Sequence, residues 1–144
     1  MMKFKQVAFL TWLVLITPAI AKIEITDAWC KAPGPNGVIF MEITGDADDF
    51  IETASSGVAK KVELHTHIKK GNIYQMRRIK TIPVPAKLRP GGLHIMLIGL
   101  QQRLQPGDMI PLKIQFAKAG EVLLDVAVKP IDYDPTKLAC GCDK

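Results

Sequence analysis

The sequence predicts an all-β domain, either a sandwich or a barrel, from the spacing of its apolar segments. Short runs rich in Val, Ile, Leu and Phe alternate with clusters of Gly, Pro, Asn and Asp, which is the pattern of strands separated by tight turns. About seven strands at this spacing are typical of both architectures. The segment 46–57 is polar and rich in small residues, which indicates a short strand plus a loop. The predicted strands are 22–29, 37–44, 58–68, 72–80, 93–98, 110–117 and 120–128.

The N-terminal segment 1–21 has the composition of a secretory signal peptide. Two lysines precede an apolar run at 7–16, and Ala19-Ile20-Ala21 is a small-residue cleavage site. The run is shorter than the roughly 20 residues that span a membrane, and no later segment reaches that length without charge, Gly or Pro. We therefore expect a periplasmic or otherwise exported protein that begins near Lys22 and has no stable membrane insertion. No cysteine follows the cleavage site directly, so lipid attachment is not expected.

The remaining chain is long enough for one domain with a single core and too short for two. We place this domain at 22–128 and a flexible tail that contains Cys-Gly-Cys at 129–144. Without the two lysines of the signal segment, the formal charge of +5 falls to +3. The chain has no arginine-rich stripe and few aromatic residues for base stacking, so the composition argues against nucleic-acid binding.

The mature chain has an odd number of cysteines, namely Cys30, Cys140 and Cys142. In an oxidising compartment they cannot all pair within one chain, so at least one thiol is free, metal-bound or intermolecular. Cys140 and Cys142 form either a soft thiolate site for Cu(I) or a tail whose thiols are oxidised. Cys30, at a strand end, is either buried and inert or paired with the tail, and sequence spacing does not decide between these.

The three histidines lie in two of the predicted strands. Side chains two residues apart share a face of a strand, so His65 and His67 point the same way, and so do His94 and Met96. The apolar neighbours of these residues point to the opposite face and can fill a core. A hairpin turn after the first strand can bring Met76 near His65 on the adjacent strand. The sequence thus predicts imidazole and thioether groups on one side of neighbouring strands.

Imidazole binds several metals, whereas a thioether is a soft donor that favours Cu(I) and contributes little to Zn(II). Two methionines with one or two histidines therefore indicate copper in its reduced state. His67 could add an imidazole if Cu(II) binds, because oxidised copper prefers nitrogen. The alternative is that each Met fills the core and each His is an ordinary surface or hydrogen-bonded residue. Met41 and Met109 have no histidine near them in sequence and are expected to serve packing.

The sequence also resembles the periplasmic copper chaperones of the PCuAC family over residues 27–128. The motifs that carry the resemblance are 62–65, Met76, 90–100, 106–108 and 116–122, with Ala28-Trp29 and 45–49 in addition. One departure is that only seventeen residues separate Met76 from His94, fewer than in the common family pattern. The shortening falls around 82–88, where a loop or hairpin can shorten without moving its ends.

The resemblance implies a cupredoxin-like β-sandwich, related to the immunoglobulin-like sandwich, that binds one Cu(I). Carried over position by position, the ligands are His65, Met76, His94 and Met96. The resemblance also implies partners that donate or accept copper, among them thioredoxin-like copper proteins and subunit II of cytochrome c oxidase, whose copper-A centre would receive the metal.

Three classes of function remain open from the sequence. A copper carrier is favoured, and we predict that the chain is not an enzyme. A copper- or zinc-dependent enzyme would need an open coordination position and a general acid or base, and only Glu63 lies near the histidines. A β-sandwich interaction module would make the histidines incidental. The basic hairpin of Lys69, Lys70, Arg77 and Arg78 either steers an acidic partner or serves solubility alone.

Overall fold

The computed structural model describes residues 22–135 and residue 137, and β-strands are the dominant regular secondary structure of this part. Strands form at all seven predicted positions, and the segment 46–57 contains a short strand preceded by a loop. Two further short strands, β6 and β7, lie in the region 82–88. The strands are β1 (Glu24–Lys31), β2 (Gly37–Thr44), β3 (Phe50–Ser55), β4 (Ala59–Lys70), β5 (Ile73–Arg78), β6 (Ile82–Pro83), β7 (Ala86–Leu88), β8 (His94–Leu100), β9 (Met109–Phe116) and β10 (Gly120–Val128).

The strands form a cupredoxin-like β-sandwich, as the resemblance implied. Hydrogen-bonded neighbours follow the order β5-β4-β8-β2-β1-β10-β9-β3-β6, and β7 pairs with β2 beside β8. The pair β1–β10 is parallel and joins the two layers, whereas the other pairs are antiparallel. The segment β5-β4-β8-β2-β1 is the layer that carries all three histidines. Its edge strand, β5, is exposed along its whole length.

The core lies between the layers and is built from alternate residues of each strand. In β9 the residues from Ile110 to Phe116 alternate between buried and less buried positions. In β8 the side chains of Ile95 and Leu97 enter the core, and each such burial contributes about 1.5–3 kcal/mol. Because alternation then turns His94 and Met96 to the other face, the hydrophobic core itself orients the predicted metal ligands.

Cys30 also faces the core, next to Ile39 of the neighbouring strand. Its side chain is completely buried and is a free thiol. Burial raises the pKa of this thiol to about 12, since a thiolate would be poorly solvated there. Of the two alternatives open from the sequence, the structure therefore selects the buried, inert cysteine.

No helix in the described residues has the length and hydropathy of a membrane span. Segment 1–21 and the tail cysteines Cys140 and Cys142 lie outside the described residues.

Candidate metal centre

The four predicted ligands lie on three adjacent strands, β5, β4 and β8. His65 and His94 are direct partners across β4 and β8, with ring centroids 5.7 Å apart. Met96 lies two pairs further along, on the same face, opposite Glu63. Met76 lies directly opposite His67 on the β4–β5 hairpin, whereas the partner of His65 is an arginine. The hairpin thus brings Met76 to the histidine strand, but the register makes it a diagonal neighbour of His65.

His94 is one of two buried polar side chains among the described residues, the other being Asp49. Burial alone would raise the pKa of Asp49, but backbone N–H groups of Lys118, Ala119 and Phe50 donate to its carboxylate and lower the pKa overall. Asp49 is therefore a satisfied structural group. His94 differs, because one of its two ring nitrogens has no partner within the described part of the chain.

The unpaired atom of His94 is Nε2, and its lone pair is available. The other nitrogen, Nδ1, lies 2.9 Å from the carbonyl oxygen of Gly92. A carbonyl can only accept, so Nδ1 carries the proton and Nε2 carries the lone pair. Burial lowers the pKa of His94, and the neighbouring His67 and His65 lower it further. The hydrogen bond to Gly92 raises this pKa, but by less than the other effects lower it together. The imidazole is thus held neutral, which is the form that binds metals.

In His65 the two ring nitrogens have the opposite roles, because among the described residues Nε2 is hydrogen-bonded and Nδ1 is not. Its Nε2 lies 2.9 Å from a carboxylate oxygen of Glu63, and its Nδ1 is buried and has no partner among residues 22–135 and 137. Lys61, at 2.8 Å, and Arg78, at 3.6 Å, flank the same carboxylate. Lys61, His65 and Arg78 together lower the pKa of Glu63 to about 2. An ionised carboxylate only accepts, so Glu63 holds the His65 proton on Nε2 and leaves the Nδ1 lone pair free.

The separation of the His65 and His94 rings can be compared with that of two imidazoles on one metal ion. Unpaired buried nitrogens are costly in a folded protein, and they commonly mark a functional site. Metal–imidazole bonds are about 2 Å long, so ring centroids 5.7 Å apart leave room for one ion shared by His65 and His94. Met96 is partly buried beside them, whereas Met76 is 47% exposed. The two thioethers thus differ in their access to solvent.

His67 lies against the same centre, but neither of its ring nitrogens is among the buried, unpartnered atoms of the described residues. Its ring centroid is 5.0 Å from that of His94, and its Nδ1 is 3.4 Å from the Gly92 oxygen that His94 also uses. In the described ranges, no three His, Cys, Asp or Glu side chains are grouped so that they could hold a metal ion. The strand register places the thioethers of Met96 and Met76 on the same face as the imidazoles.

The sequence predicted which side chains share this face, but not the backbone atom that orients one of them. The carbonyl of Gly92 belongs to a tight turn in which Gly92 N–H donates to Arg89 O, and Arg89 N–H donates to Leu93 O. A Pro-Gly-Gly turn directly before a His-x-Met strand was the available signal. The position of Glu63 two residues before His65 was the signal for the second orienting group, because alternation places both on one face.

Comparison with known proteins agrees with this geometry. Residues 23–128 match the LpqE-like family, described as putative lipoprotein LpqE-like. Putative lipoprotein Lxx21020 of Leifsonia xyli subsp. xyli (strain CTCB07) is 30% identical over 115 residues, covering 74% of this chain and 69% of that protein. The copper-bound PCuAC domain from PmoF2 superimposes with a TM-score of 0.63 and 27% identity, covering 77% of this chain and 95% of that domain.

A more distant structure shows the same fold. The solution structure of CuI-DR1885 from Deinococcus radiodurans has a TM-score of 0.59 and 20% identity, and the match covers 79% of this chain and 80% of that one. The likeness to these domains covers 77–79% of this chain. The chain belongs to the LpqE-like family and has the fold of PCuAC domains.

Proposed function

We propose that this protein is an exported copper carrier that binds one Cu(I) at His65, His94, Met96 and Met76 and passes it to a partner. The observation that carries the proposal is a pair of buried imidazole nitrogens, His65 Nδ1 and His94 Nε2, that lie on directly paired strands and have no partner in the part of the chain that the structure describes. The thioethers beside them favour Cu(I) over Zn(II) and over hard cations. The copper-bound PmoF2 domain and CuI-DR1885 support the choice of metal.

The exposure of the ligands suits a carrier. The imidazoles are shielded, whereas Met76 lies on an exposed edge strand. A partner can therefore replace the weak Met76 thioether first and reach the metal from that side, exchanging ligands one at a time. A carrier is favoured over an enzyme because the nearest carboxylate, Glu63, is engaged by His65, Lys61 and Arg78.

The hairpin beside the site suggests the chemistry of the partner. Lys69, Lys70, Arg77 and Arg78 surround exposed Tyr74, and Lys69 lies 5.8 Å from the Tyr74 ring centroid. Such a surface favours encounter with an acidic protein, since charge complementarity acts chiefly on association rate. We propose copper-binding partners of this kind, including a thioredoxin-like copper protein and subunit II of cytochrome c oxidase as the recipient at its copper-A centre.

Export is proposed from the signal-like segment 1–21 and from the relatives, which are described as lipoproteins. Residue 22 is a lysine, so the small-residue site offers no cysteine for lipid attachment. We propose that the mature protein consists of the domain 22–128 and the tail 129–144.

X-ray absorption of the copper-loaded mature protein tests the proposed function. A variant with Cys140→Ser and Cys142→Ser removes tail sulfur, so that any remaining sulfur neighbour belongs to the domain. We expect one Cu(I) per molecule, with nitrogen and sulfur both in its coordination shell. Tight Zn(II) binding without Cu(I) binding under anaerobic reduction, or a copper shell without sulfur, would refute the carrier proposal.

Glu63 provides a second test, because it orients His65 without touching the metal. In Glu63→Gln, the amide can either accept from or donate to His65 Nε2, so it no longer fixes the His65 proton on Nε2, and the Nδ1 lone pair is less consistently available. Partners that orient metal-bound histidines are typically worth about 10–100-fold in metal affinity. We expect a Cu(I) affinity loss in this range, measured by competition with a chromophoric chelator. The control is Glu121→Gln, whose carboxylate pairs with Lys113 on the other layer; an equal loss there, or none in Glu63→Gln, would contradict the assignment.

A further inference from the structure

The strand β5 is the open edge of the layer that carries the histidines. It pairs with β4 on one side, and within the part of the chain that the structure describes no strand pairs with its other side. All residues of β5 are exposed. An unpaired edge presents backbone N–H and C=O groups that can bind a further strand. The strand that holds Met76 is therefore also an edge on which another chain can dock.

The strand register shows which backbone groups of β5 point outward. In an antiparallel pair, residues that exchange hydrogen bonds with the partner strand alternate with residues whose N–H and C=O groups point away from it. The Ile79 N–H donates to the Leu64 carbonyl at 2.9 Å, and the same register continues to the pair Lys70 and Ile73. The residues of β5 that bond to β4 are thus Ile73, Gln75 and Arg77. The outward groups belong to Tyr74, Met76 and Arg78.

The residues with outward backbone groups also have their side chains on the face that carries the histidines. Met76 lies opposite His67, and Arg78 lies opposite His65. A strand added to this edge would bond to the backbone of Met76 and of its alternate neighbours. The side chain directly opposite Met76 on the added strand would lie on the same face, with the two Cβ atoms about 4.5–5.5 Å apart. A docked strand can therefore place a metal donor beside the exposed thioether.

The edge formed by β5 lacks two features that protect strand edges from pairing. At the other end of the strand order, β6 has only two residues, and one of them is Pro83. A short strand with a proline is a poor template for pairing. By contrast, β5 has no proline and carries three of the six large apolar side chains that are exposed in the described residues, those of Ile73, Tyr74 and Met76. Such a concentration is typical of a surface that binds a partner.

The charge around β5 favours an acidic occupant. The segment 64–107 contains eight lysines and arginines and no aspartate or glutamate. Four of these cations flank the hairpin, and in the described chain only Arg78 among them pairs with a carboxylate, that of Glu63 at 3.6 Å. A second copy of this chain would bring the same positive charge against itself, whereas an acidic segment would be attracted.

We propose that a copper-exchange partner docks on β5 as an added strand, through an extended acidic segment that carries a Met, Cys or His opposite Met76. This inference rests on the proposed function, because it takes Cu(I) as the cargo. In strand addition, backbone hydrogen bonds supply affinity and alternate side chains supply specificity. During exchange the bond from copper to the Met76 sulfur breaks and a bond to the partner's donor forms. Copper remains Cu(I), and a thiol donor releases its proton to solvent.

Amide hydrogen exchange in the metal-free mature protein tests the docking without copper. The probe is a short synthetic peptide in which Glu and Thr alternate, with Met in place of the central Glu. We expect saturating peptide to slow exchange several-fold at the outward amides of Tyr74, Met76 and Arg78. The amides of Gln75 and Arg77 should change little, because they already donate to β4.

Three results of this experiment would overturn the inference. Uniform slowing along β5 would indicate contact without strand pairing. The same slowing with phosphatidylglycerol vesicles in place of the peptide would indicate a lipid surface as the occupant. Alternating protection that appears without peptide and grows with protein concentration would place a second copy on this edge.

Variants separate the backbone from the side chains. Tyr74→Pro removes an outward N–H but leaves the hydrogen bonds to β4, so peptide affinity should fall several-fold. Tyr74→Thr, which keeps the N–H, is the control and should retain most of the affinity. The double variant Lys70→Glu with Arg77→Glu changes the face away from the histidines and does not depend on tolerance of proline. Its peptide affinity should also fall several-fold, and unchanged affinity in either the proline or the charge variant would contradict the docking mode.

A second peptide, with Leu in place of the central Met, tests delivery of a donor to Met76. Both peptides should bind the metal-free protein equally, and only the Met peptide should bind several-fold more tightly to the Cu(I)-loaded protein. Equal binding to the loaded protein would overturn the inference and leave the proposed function intact. Failure of the protein to bind Cu(I), measured by chelator competition without peptide, would instead refute the proposed function.

Discussion

Replacement of His94 with leucine is expected to lower Cu(I) affinity by at least about a hundredfold, because the variant loses one of two shielded imidazole donors. Residues that merely orient a ligand are worth 10–100-fold, and a direct ligand should exceed this. The metal-free protein should still fold, since the change removes one hydrogen bond to Gly92, of about 1 kcal/mol, together with a buried nitrogen that has no partner in the described chain.

The measurement is anaerobic competition for Cu(I) with a chromophoric chelator, accompanied by urea unfolding of the metal-free variant. His67→Leu is the matched control, because His67 lies on the same face and contacts the same Gly92 carbonyl. We expect its Cu(I) affinity to change little and its Cu(II) affinity to fall. An equally large loss of Cu(I) affinity in His67→Leu would contradict the assignment of His65 and His94 as the imidazole pair.

Replacement of Met96 or Met76 with leucine is expected to weaken Cu(I) binding roughly tenfold or more, equivalent to about 1.4 kcal/mol. The exchange removes the thioether but conserves volume, so the free energy of unfolding should fall by less than about 1.5 kcal/mol. Loss of copper without loss of stability identifies a ligand. The same chelator competition and urea unfolding measure both quantities.

Two other methionines supply controls with opposite surroundings. Met41 is 2% exposed in the core, and Met109 is 59% exposed on the other layer. Leucine at either position should leave the Cu(I) affinity unchanged. If Met96→Leu lowered stability strongly and left affinity unchanged, Met96 would be a packing residue, and the site would have to be built from the imidazoles and Met76.

Much of the fold was predictable because strand alternation is a local property. Apolar residues at every second position, bounded by Gly and Pro, located the seven main strands to within a few residues. The same alternation separated Ile95 and Leu97 from His94 and Met96. The short strands β6 and β7 were not predicted, because two or three residues around prolines carry no periodic signal; they form by pairing with β3 and β2, which are distant in sequence.

The sequence by itself therefore determined which side chains share a face, and it placed the soft donors and Glu63 on one side of the sheet. The tertiary structure decided their register. It paired His65 with His94 and Met76 with His67, and it placed the Gly92 carbonyl so that the free nitrogen of His94 is Nε2. The physical reason is that alternation depends only on neighbours along the chain. Register and the burial of Cys30 depend instead on packing between segments far apart in sequence.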